Sequence, residues 1–204
     1  MVILFIKITF TMRIFFLFLL IIPSISFSQN LYMGLTIEPE HTSDLYDRNM
    51  YGGWIDADSD GENTRAEVLK DESIAVDVWW GAYTGKIYTT ADNLDIDHMV
   101  PLKEAHESGG HNWTREQRRA YANDLANPQH LIAVFSGANR SKGAQEPSTW
   151  MPPNRAYWCQ YLNNWIQIKL NYSLSIDQLE KDALEKGLQV CDLYRIRDHI
   201  NGRH

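Results

Sequence analysis

The sequence reads as an α+β protein that closes in a helical hairpin, and three observations support this. Residues 75–83 and 86–90 are rich in β-branched and aromatic side chains and meet at Thr84-Gly85, as the two arms of a β-hairpin do. Residues 131–135 form a short apolar run of strand length. Residues 156–171 and 176–189 carry helical periodicity around a turn at 172–174. Strands thus lie in the middle of the chain and the longest helices at its end, the order of an α+β fold.

The first 28 residues are set apart from that fold. Arg13 is followed by the apolar stretch 14–22, Pro23 and Ser26-Phe27-Ser28, which reads as a secretory leader with a small-residue cleavage site and Gln29 as the mature N-terminus. The apolar run falls well short of the roughly 20 residues that a spanning helix needs. Met12-Arg13 would itself make an ordinary start, and no cysteine stands near the cleavage site to carry a lipid. The expectation is an exported protein, periplasmic or extracellular, without a stable membrane anchor. Residues 29–204 are enough for one core and hardly for two, so they read as a single domain, with its centre at about 46–153 and the hairpin at 155–191. Loss of a leader holding Lys7 and Arg13 and no acid takes the formal charge from −7 to −9, which argues against a wide basic face but not against a small cationic pocket.

Taken in order, residues 29–47 are an irregular lead-in, and 46–55 an aromatic, glycine-containing stretch that runs into the acidic loop 56–63. Residues 64–72 then read as a short helix carrying Ala66, Val68 and Leu69. After the hairpin strands, 96–102 reads as a third extended segment, and Ser108-Gly109-Gly110 breaks the chain. Thr114-Arg115-Glu116-Gln117 is a capping box opening a polar helix that ends near Leu125. Beyond the strand at 131–135, Gly137 and Ala138 turn into a segment holding Asn139 and Lys142, and Pro147, Pro152 and Pro153 keep the chain irregular up to the final hairpin. Ser175-Ile176-Asp177-Gln178 is a second capping box.

The cysteines number two, Cys159 and Cys191, and folding the two helices about the turn at 172–174 brings them to nearly the same height. In an oxidising compartment such a pair closes as a disulfide stapling the open end of the hairpin, a model-dependent gain of ~2–4 kcal/mol. The alternative is two buried free thiols.

Chemistry is concentrated in Asp95-Ile96-Asp97-His98-Met99-Val100-Pro101, Asn127 and Asn139-Arg140-Ser141-Lys142-Gly143. Phosphodiester hydrolysis needs a base for water and a cation for the charge on the phosphate. An imidazole titrates near neutral pH, so His98 can accept the proton. Asp97 points the other way along an extended backbone, so the pair can serve two sides of one site, Asp97 on a metal and His98 on water. Asn139 would add a neutral oxygen ligand, and two protein oxygens with room for water suit Mg²⁺ (or Mn²⁺) better than a structural Zn²⁺ cage.

Asp97-His98 with Pro101, an Asn before a short strand and Asn-x-x-Lys-Gly after it resemble the HNH endonucleases, whose ββα-metal (His-Me finger) core holds one divalent ion between two strands and a helix. The resemblance narrows to the exported members of the GmrSD-type HNH family. It rests on Tyr46-Asp47-Arg48, Asn63-Thr64-Arg65-Ala66-Glu67-Val68-Leu69, Asp95 to Leu102, Trp113-Thr114, Ala122-Asn123-Asp124, Asn127, Asn139 to Gly143 and Trp150-Met151-Pro152-Pro153, from about Tyr46 to about Leu188. It implies nucleic-acid cleavage with His98 as general base, Asp97 and Asn139 on the metal, and Asn127 orienting the His98 loop. Lys142 would sit near a phosphate, with Arg65 doing likewise from the other side. The chain departs from the family at Glu62, where a Cys is frequent, and at the polar Gln129-His130, with His130 read as a packing residue.

Asp56, Asp58, Asp60 and Glu67, with Gly61 at the sixth position, also fit a calcium loop. Asn63 at position eight and Gly52-Gly53 in place of an entering helix count against it. The loop is read either as a structural Ca²⁺ site or as a solvated acidic turn that positions Arg65. Asn139-Arg140-Ser141 is formally a glycosylation acceptor, and a glycan there would block the metal ligand, which favours a bacterial route of export. The expected function is an exported, metal-dependent HNH endonuclease acting on nucleic acid, DNA ahead of RNA, with low sequence specificity. The alternatives are a secreted calcium-binding interaction module in which Asp97 and His98 are structural, and hydrolysis of another phosphodiester at the same metal site.

Overall fold

The computed structural model describes residues 31–43 and 45–200, with side chains from 32 to 193; the leader and its cleavage site before Gln29 lie outside the described residues. The chain is α+β, with three small sheets and six α-helices among the described residues. No described helix is long and apolar enough to cross a membrane.

The lead-in is not wholly irregular. Strands β1 (Leu31–Tyr32) and β2 (Leu35–Thr36) pair antiparallel. The segment then docks on the far end of the chain, where Glu38 N donates to the Ile176 carbonyl at 2.9 Å and Ile176 N to the Thr36 carbonyl at 2.9 Å. A 3₁₀ turn, Arg48–Tyr51, follows with Asp47 as its cap, and Tyr51 is fully buried. Helix α1 (Thr64–Asp71) starts where Asn63 Oδ1 accepts the Ala66 N–H at 3.1 Å.

The stretch expected as one strand at 75–83 is two: β3 (Ser73–Ala75) and β4 (Val78–Gly81), broken at Asp77, whose φ is +54°. Exposed Val76 at this corner has no core to enter, so β propensity alone does not carry the strand through. Strand β5 (Lys86–Tyr88) completes the expected hairpin around Thr84-Gly85. Strand β6 (Leu94–His98) ends sooner than the sequence suggests, because the chain after Pro101 winds into α2 (Leu102–Glu107). Proline is a good helix starter and Leu-Lys-Glu-Ala are good helix formers, a signal the extended reading passed over.

Helix α3 (Arg115–Ala122) has the expected capping box, with Thr114 N to Gln117 Oε1 at 2.8 Å and Gln117 N to Thr114 Oγ1 at 3.2 Å. Strand β7 (Leu131–Phe135) pairs antiparallel with β6, Asp97 opposite Ile132 and His98 opposite Leu131, and runs directly into α4 (Ser136–Lys142). Gly143 closes α4 at φ +56°, a left-handed position that favours glycine.

The β6–β7 pair lies between two apolar clusters. Leu94, Ile96, Leu131 and Ala133 face α1 and Trp79, while Ile132 and Val134 face the larger core of α5 (Trp158–Asn171) and the surrounding helices. Period-two alternation places Asp95 and Asp97 on one face of β6 and His98 on the other. The final helix, α6 (Gln178–Ile200), begins at Asp177, whose Oδ1 accepts the Glu180 N–H at 2.7 Å, two residues later than the capping box suggested. Cys159 and Cys191 form a disulfide between α5 and α6, so the staple is present and the free-thiol alternative is set aside.

Candidate active site

The strand–strand–helix unit β6–β7–α4 positions the chemistry. Asp95 and Asp97 lie two residues apart on one face of β6, and Asn139 and Lys142 lie three apart on one face of α4, so the two pairs match along the contact. Asn139 Nδ2 donates to Asp95 Oδ2 at 3.2 Å, and Lys142 Nζ meets Asp97 Oδ2 at 2.6 Å. Lys142 also donates to the His98 carbonyl at 2.8 Å, and the Tyr83 hydroxyl donates to Asp97 Oδ2 at 2.6 Å. These contacts leave Oδ1 of Asp97 and Oδ1 of Asn139 without a hydrogen-bond partner among the described residues. Both residues line one cavity of about 280 Å³, with His98, Arg48 and Lys103 in its wall.

His98 is only 5 % exposed, yet its ring walls both this cavity and a neighbouring one of about 250 Å³. Its Nε2 lies 3.0 Å from the Ala122 carbonyl oxygen. A carbonyl can only accept, so Nε2 carries the hydrogen, and in the neutral ring Nδ1 keeps the lone pair. Trp54 stacks on the imidazole at 5.4 Å and 10°. Burial, then the neighbouring His130, pushes the His98 pKa well below its ordinary value, with Arg48 and Lys142 acting in the same direction and the Ala122 hydrogen bond against it. The ring is therefore neutral near pH 7, the state in which Nδ1 can take a proton.

Burial raises the Asp97 pKa even though Lys142 and Tyr83 pull it down, and burial lowers that of Lys142 even though Asp97 holds it up. Both shifts express the same desolvation of a pair 0 % and 6 % exposed. For a divalent cation the donors fit: one carboxylate oxygen and one amide oxygen, hard ligands fixed by bonds to their other atoms, facing a cavity with room for water. Asp97, Asn139 and His98 are thus brought together.

Three expected contributors stand elsewhere. Lys142 is fully buried and engaged with Asp97 and the His98 carbonyl, so it cannot meet a phosphate. Arg65 turns to β6, where its Nη2 donates to the Leu94 carbonyl at 2.8 Å, bracing the strand. Asn127 lies outside the cavity; its Oδ1 accepts the Gln129 N–H at 3.0 Å and closes its own turn. The link from that turn to the His98 loop is made by backbone, Met99 N to the His130 carbonyl at 2.9 Å. His130 is a packing residue, buried with Nε2 on the Tyr121 carbonyl at 2.7 Å. Tyr83 and Trp54 carry no sequence signal for this site, and Asp95, which lies in the motif without an assigned role, has its spacing of two from Asp97 as a usable one.

In the acidic loop, one oxygen each of Asp56, Asp58 and Asp60 lies within 4.8 Å of the others. Glu67 Oε2 is sealed without a hydrogen-bond partner, and local desolvation followed by Asp58, Asp60 and Asp56 raises its pKa. Glu62, at the frequent cysteine position, pairs with Lys70 at 2.7 Å. The loop is clamped at its base, where Ile55 N donates to Asn123 Oδ1 at 3.1 Å and Thr64 N to the Ile55 carbonyl at 2.8 Å, and Trp54 stands directly before it.

Residues 54–186 match the family described as GmrSD restriction endonucleases, C-terminal domain. The chain is also 43 % identical over 180 residues, 83 % of its length and 87 % of the relative's, to a protein of Arthroderma benhamiae described as an uncharacterized secreted protein. No solved structure gives a significant match. The export expected from the leader agrees with that relative's description, and the chain is an exported protein.

Proposed function

Because the chain belongs to the family of GmrSD restriction endonuclease C-terminal domains, a nuclease-type family, we propose that it is an exported, metal-dependent HNH endonuclease cleaving nucleic acid, DNA with low sequence specificity, through a ββα-metal core formed by β6, β7 and α4. One observation carries the reading: Asp97, Asn139 and His98 line a single cavity. Residues 1–28 would leave as a signal peptide, and 29–204 would act as one domain.

In this reading a water oxygen attacks phosphorus, its proton passes to His98 Nδ1, and the bond from phosphorus to the leaving oxygen breaks, that oxygen taking a proton from solvent. A Mg²⁺ or Mn²⁺ ion held by Oδ1 of Asp97 and of Asn139 would supply charge stabilisation at the phosphate and the leaving oxygen. The Ala122 carbonyl fixes the tautomer of His98, and Trp54 fixes the plane of its ring. Lys142 and Tyr83 hold Asp97, Asp95 holds Asn139, and the Asn127 turn steadies the His98 loop through the His130 carbonyl.

Plasmid nicking with Mg²⁺ or Mn²⁺, run beside an RNA substrate, tests the proposal. His98→Ala should lower the rate by about 10²–10⁴-fold with the fold intact. Full activity in the variant, or none in the wild type with any divalent ion, sinks it. A structural Ca²⁺ in the Asp56–Glu67 loop is a second part of the reading, supported by the convergence of Asp56, Asp58 and Asp60, a cluster that does not include Glu67. Ca²⁺ should raise the melting temperature of the wild type and not of Asp58→Asn.

A further inference from the structure

Any catalyst of phosphodiester cleavage needs a cation against the phosphate besides its metal, and both residues that the sequence offered for this are engaged elsewhere. Lys142 is fully buried in its pair with Asp97, and Arg65 is bound to the Leu94 carbonyl. Two basic side chains remain in the cavity wall, Arg48 and Lys103. Lys103 is paired with Glu107 at 2.7 Å, one helical turn along α2. Arg48 is exposed; its side chain hydrogen-bonds the Tyr46 phenol, and among the described residues it has no hydrogen bond to a carboxylate.

Its place is specific. Arg48 and His98 both line the two adjoining cavities, and the Arg48 charge is near enough to act on the imidazole. The turn that carries it is held firmly. Asp47 Oδ1 accepts the Asn49 N–H at 2.9 Å, Tyr51 is buried in the core, and Asn123 Nδ2 donates to the Gly53 carbonyl at 3.2 Å. A rigid backbone under an arginine without an acidic partner presents a planar fork of donors, the geometry that matches two oxygens of a phosphate. In a chain of net charge −7, an exposed cation in the cavity wall without a carboxylate partner favours the approach of an anionic substrate.

We infer that Arg48 is the phosphate-binding residue of this site, its guanidinium contacting the non-bridging oxygens of the phosphodiester that faces His98. The inference rests on the nuclease reading and assigns to Arg48 the role that sequence pattern gave to Lys142 and Arg65.

The test compares wild type, Arg48→Ala, Arg48→Lys and Lys103→Ala in two assays: single-turnover cleavage of a labelled DNA duplex with Mg²⁺, and equilibrium binding of the same duplex in EDTA across a salt series. Arg48→Ala should cut the cleavage rate by about 10²-fold, the order seen when one preorganised donor to the reacting group is removed. Binding should weaken several-fold, and the salt slope should shrink by about one. Arg48→Lys should recover part of the loss. Added guanidinium ion at millimolar level should revive Arg48→Ala but not His98→Ala, while Lys103→Ala should stay within a few-fold of wild type. Wild-type cleavage by Arg48→Ala overturns the assignment and leaves the nuclease reading standing. Should Arg48→Ala be poorly folded, an Arg48→Lys variant equal to wild type in both assays overturns it instead. A wild type that neither cleaves nor binds nucleic acid removes the nuclease reading, and this inference with it.

Discussion

Among the described residues two lysines are fully buried, and their surroundings differ in one respect. Lys169, on α5, meets Glu104 at 2.6 Å, Glu180 at 2.7 Å, Ser108 Oγ at 3.0 Å and the Ser175 carbonyl at 2.9 Å. Trp165 donates to Glu180, Ser108 to Glu104 at 2.7 Å, and Glu40 shares a hydrogen bond with Glu104, so both carboxylates that face Lys169 are fully engaged, with Glu146 and Asp177 beside them. Lys142, on α4, is held just as tightly, yet the group around it stays incomplete: Asp97 and Asn139 each keep an oxygen, and His98 keeps Nδ1. Buried polar groups are ordinarily matched to partners. Asp97, Asn139 and His98, each with an acceptor not engaged among the described residues, line one cavity, and the proposed reading has a group from solvent meet them there. The helical hairpin uses a buried cation to hold elements together; in the proposed reading the β6–β7–α4 unit uses one to aim a site.

The sharpest way to break this comparison is to remove each cation in turn. Lys142→Met and Lys169→Met both strand buried carboxylates and should each lower stability, by ~3–5 kcal/mol, the usual loss when one partner of a buried pair is removed. Lys169→Met should fall at the low end, because the pKa of Glu180 already stands at about 8, raised mainly by burial, and the group can take up a proton. Activity should separate them. At a temperature where both are folded, Lys169→Met should cleave at near the wild-type rate and Lys142→Met should lose most activity, because Asp97 no longer has a fixed direction. Equal activity in both, measured beside their urea midpoints, would show that the Lys142 network only stabilises.

A smaller effect separates the hairpin from the site by its staple. Replacing Cys159 and Cys191 together by Ala removes a crosslink spanning 32 positions in sequence and should cost about 2–4 kcal/mol. Cleavage at 25 °C should be unchanged, since neither cysteine touches the cavity. A loss of activity without a loss of stability would tie the hairpin to the chemistry.

Sequence reading reached these regions unequally, and for physical reasons. The hairpin, its turn, its disulfide and the α3 capping box were legible because each depends on local pattern: helical period, cap residues, two cysteines at matching heights. The strands β6 and β7 and the trio Asp97, Asn139 and His98 were legible through alternation and through the family motif. For Lys142 the sequence shows that a lysine is present, not that α4 turns it inward onto Asp97. For Arg65 it likewise does not show the turn to the Leu94 carbonyl. Tyr83 and Trp54 reach the cavity region from other elements, where only tertiary packing makes such neighbours visible, and Arg48 stands in the Tyr46-Asp47-Arg48 motif, whose place beside His98 the sequence does not show.

Between the open group and the closed one stands Glu72, and it offers the finest test. This residue follows α1, and its Oε2 reaches β7, accepting the Ala133 N–H at 2.6 Å. Burial raises its pKa to about 7, with Asp71 adding to the rise and the Ala133 hydrogen bond opposing it. The folded protein therefore holds a proton on Glu72 between about 4.5, the ordinary value, and about 7, where the unfolded chain has released it. Stability from this group is complete below the lower limit and falls as pH rises through the window. Glu40 and Glu146, each raised to about 7, and Glu180 act in the same direction. Wild type should accordingly be more stable at pH 5 than at pH 8. Glu72→Gln keeps an acceptor for Ala133 but cannot ionise, so its urea midpoint should fall less over that range, by an amount on the order of 1–2 kcal/mol once partial contact with solvent is allowed for. An unchanged pH dependence would mean that Glu72 is ionised at its contact with β7. The strand beside the site would then be held by a charge, and α1 would belong with the open group and not with the closed one.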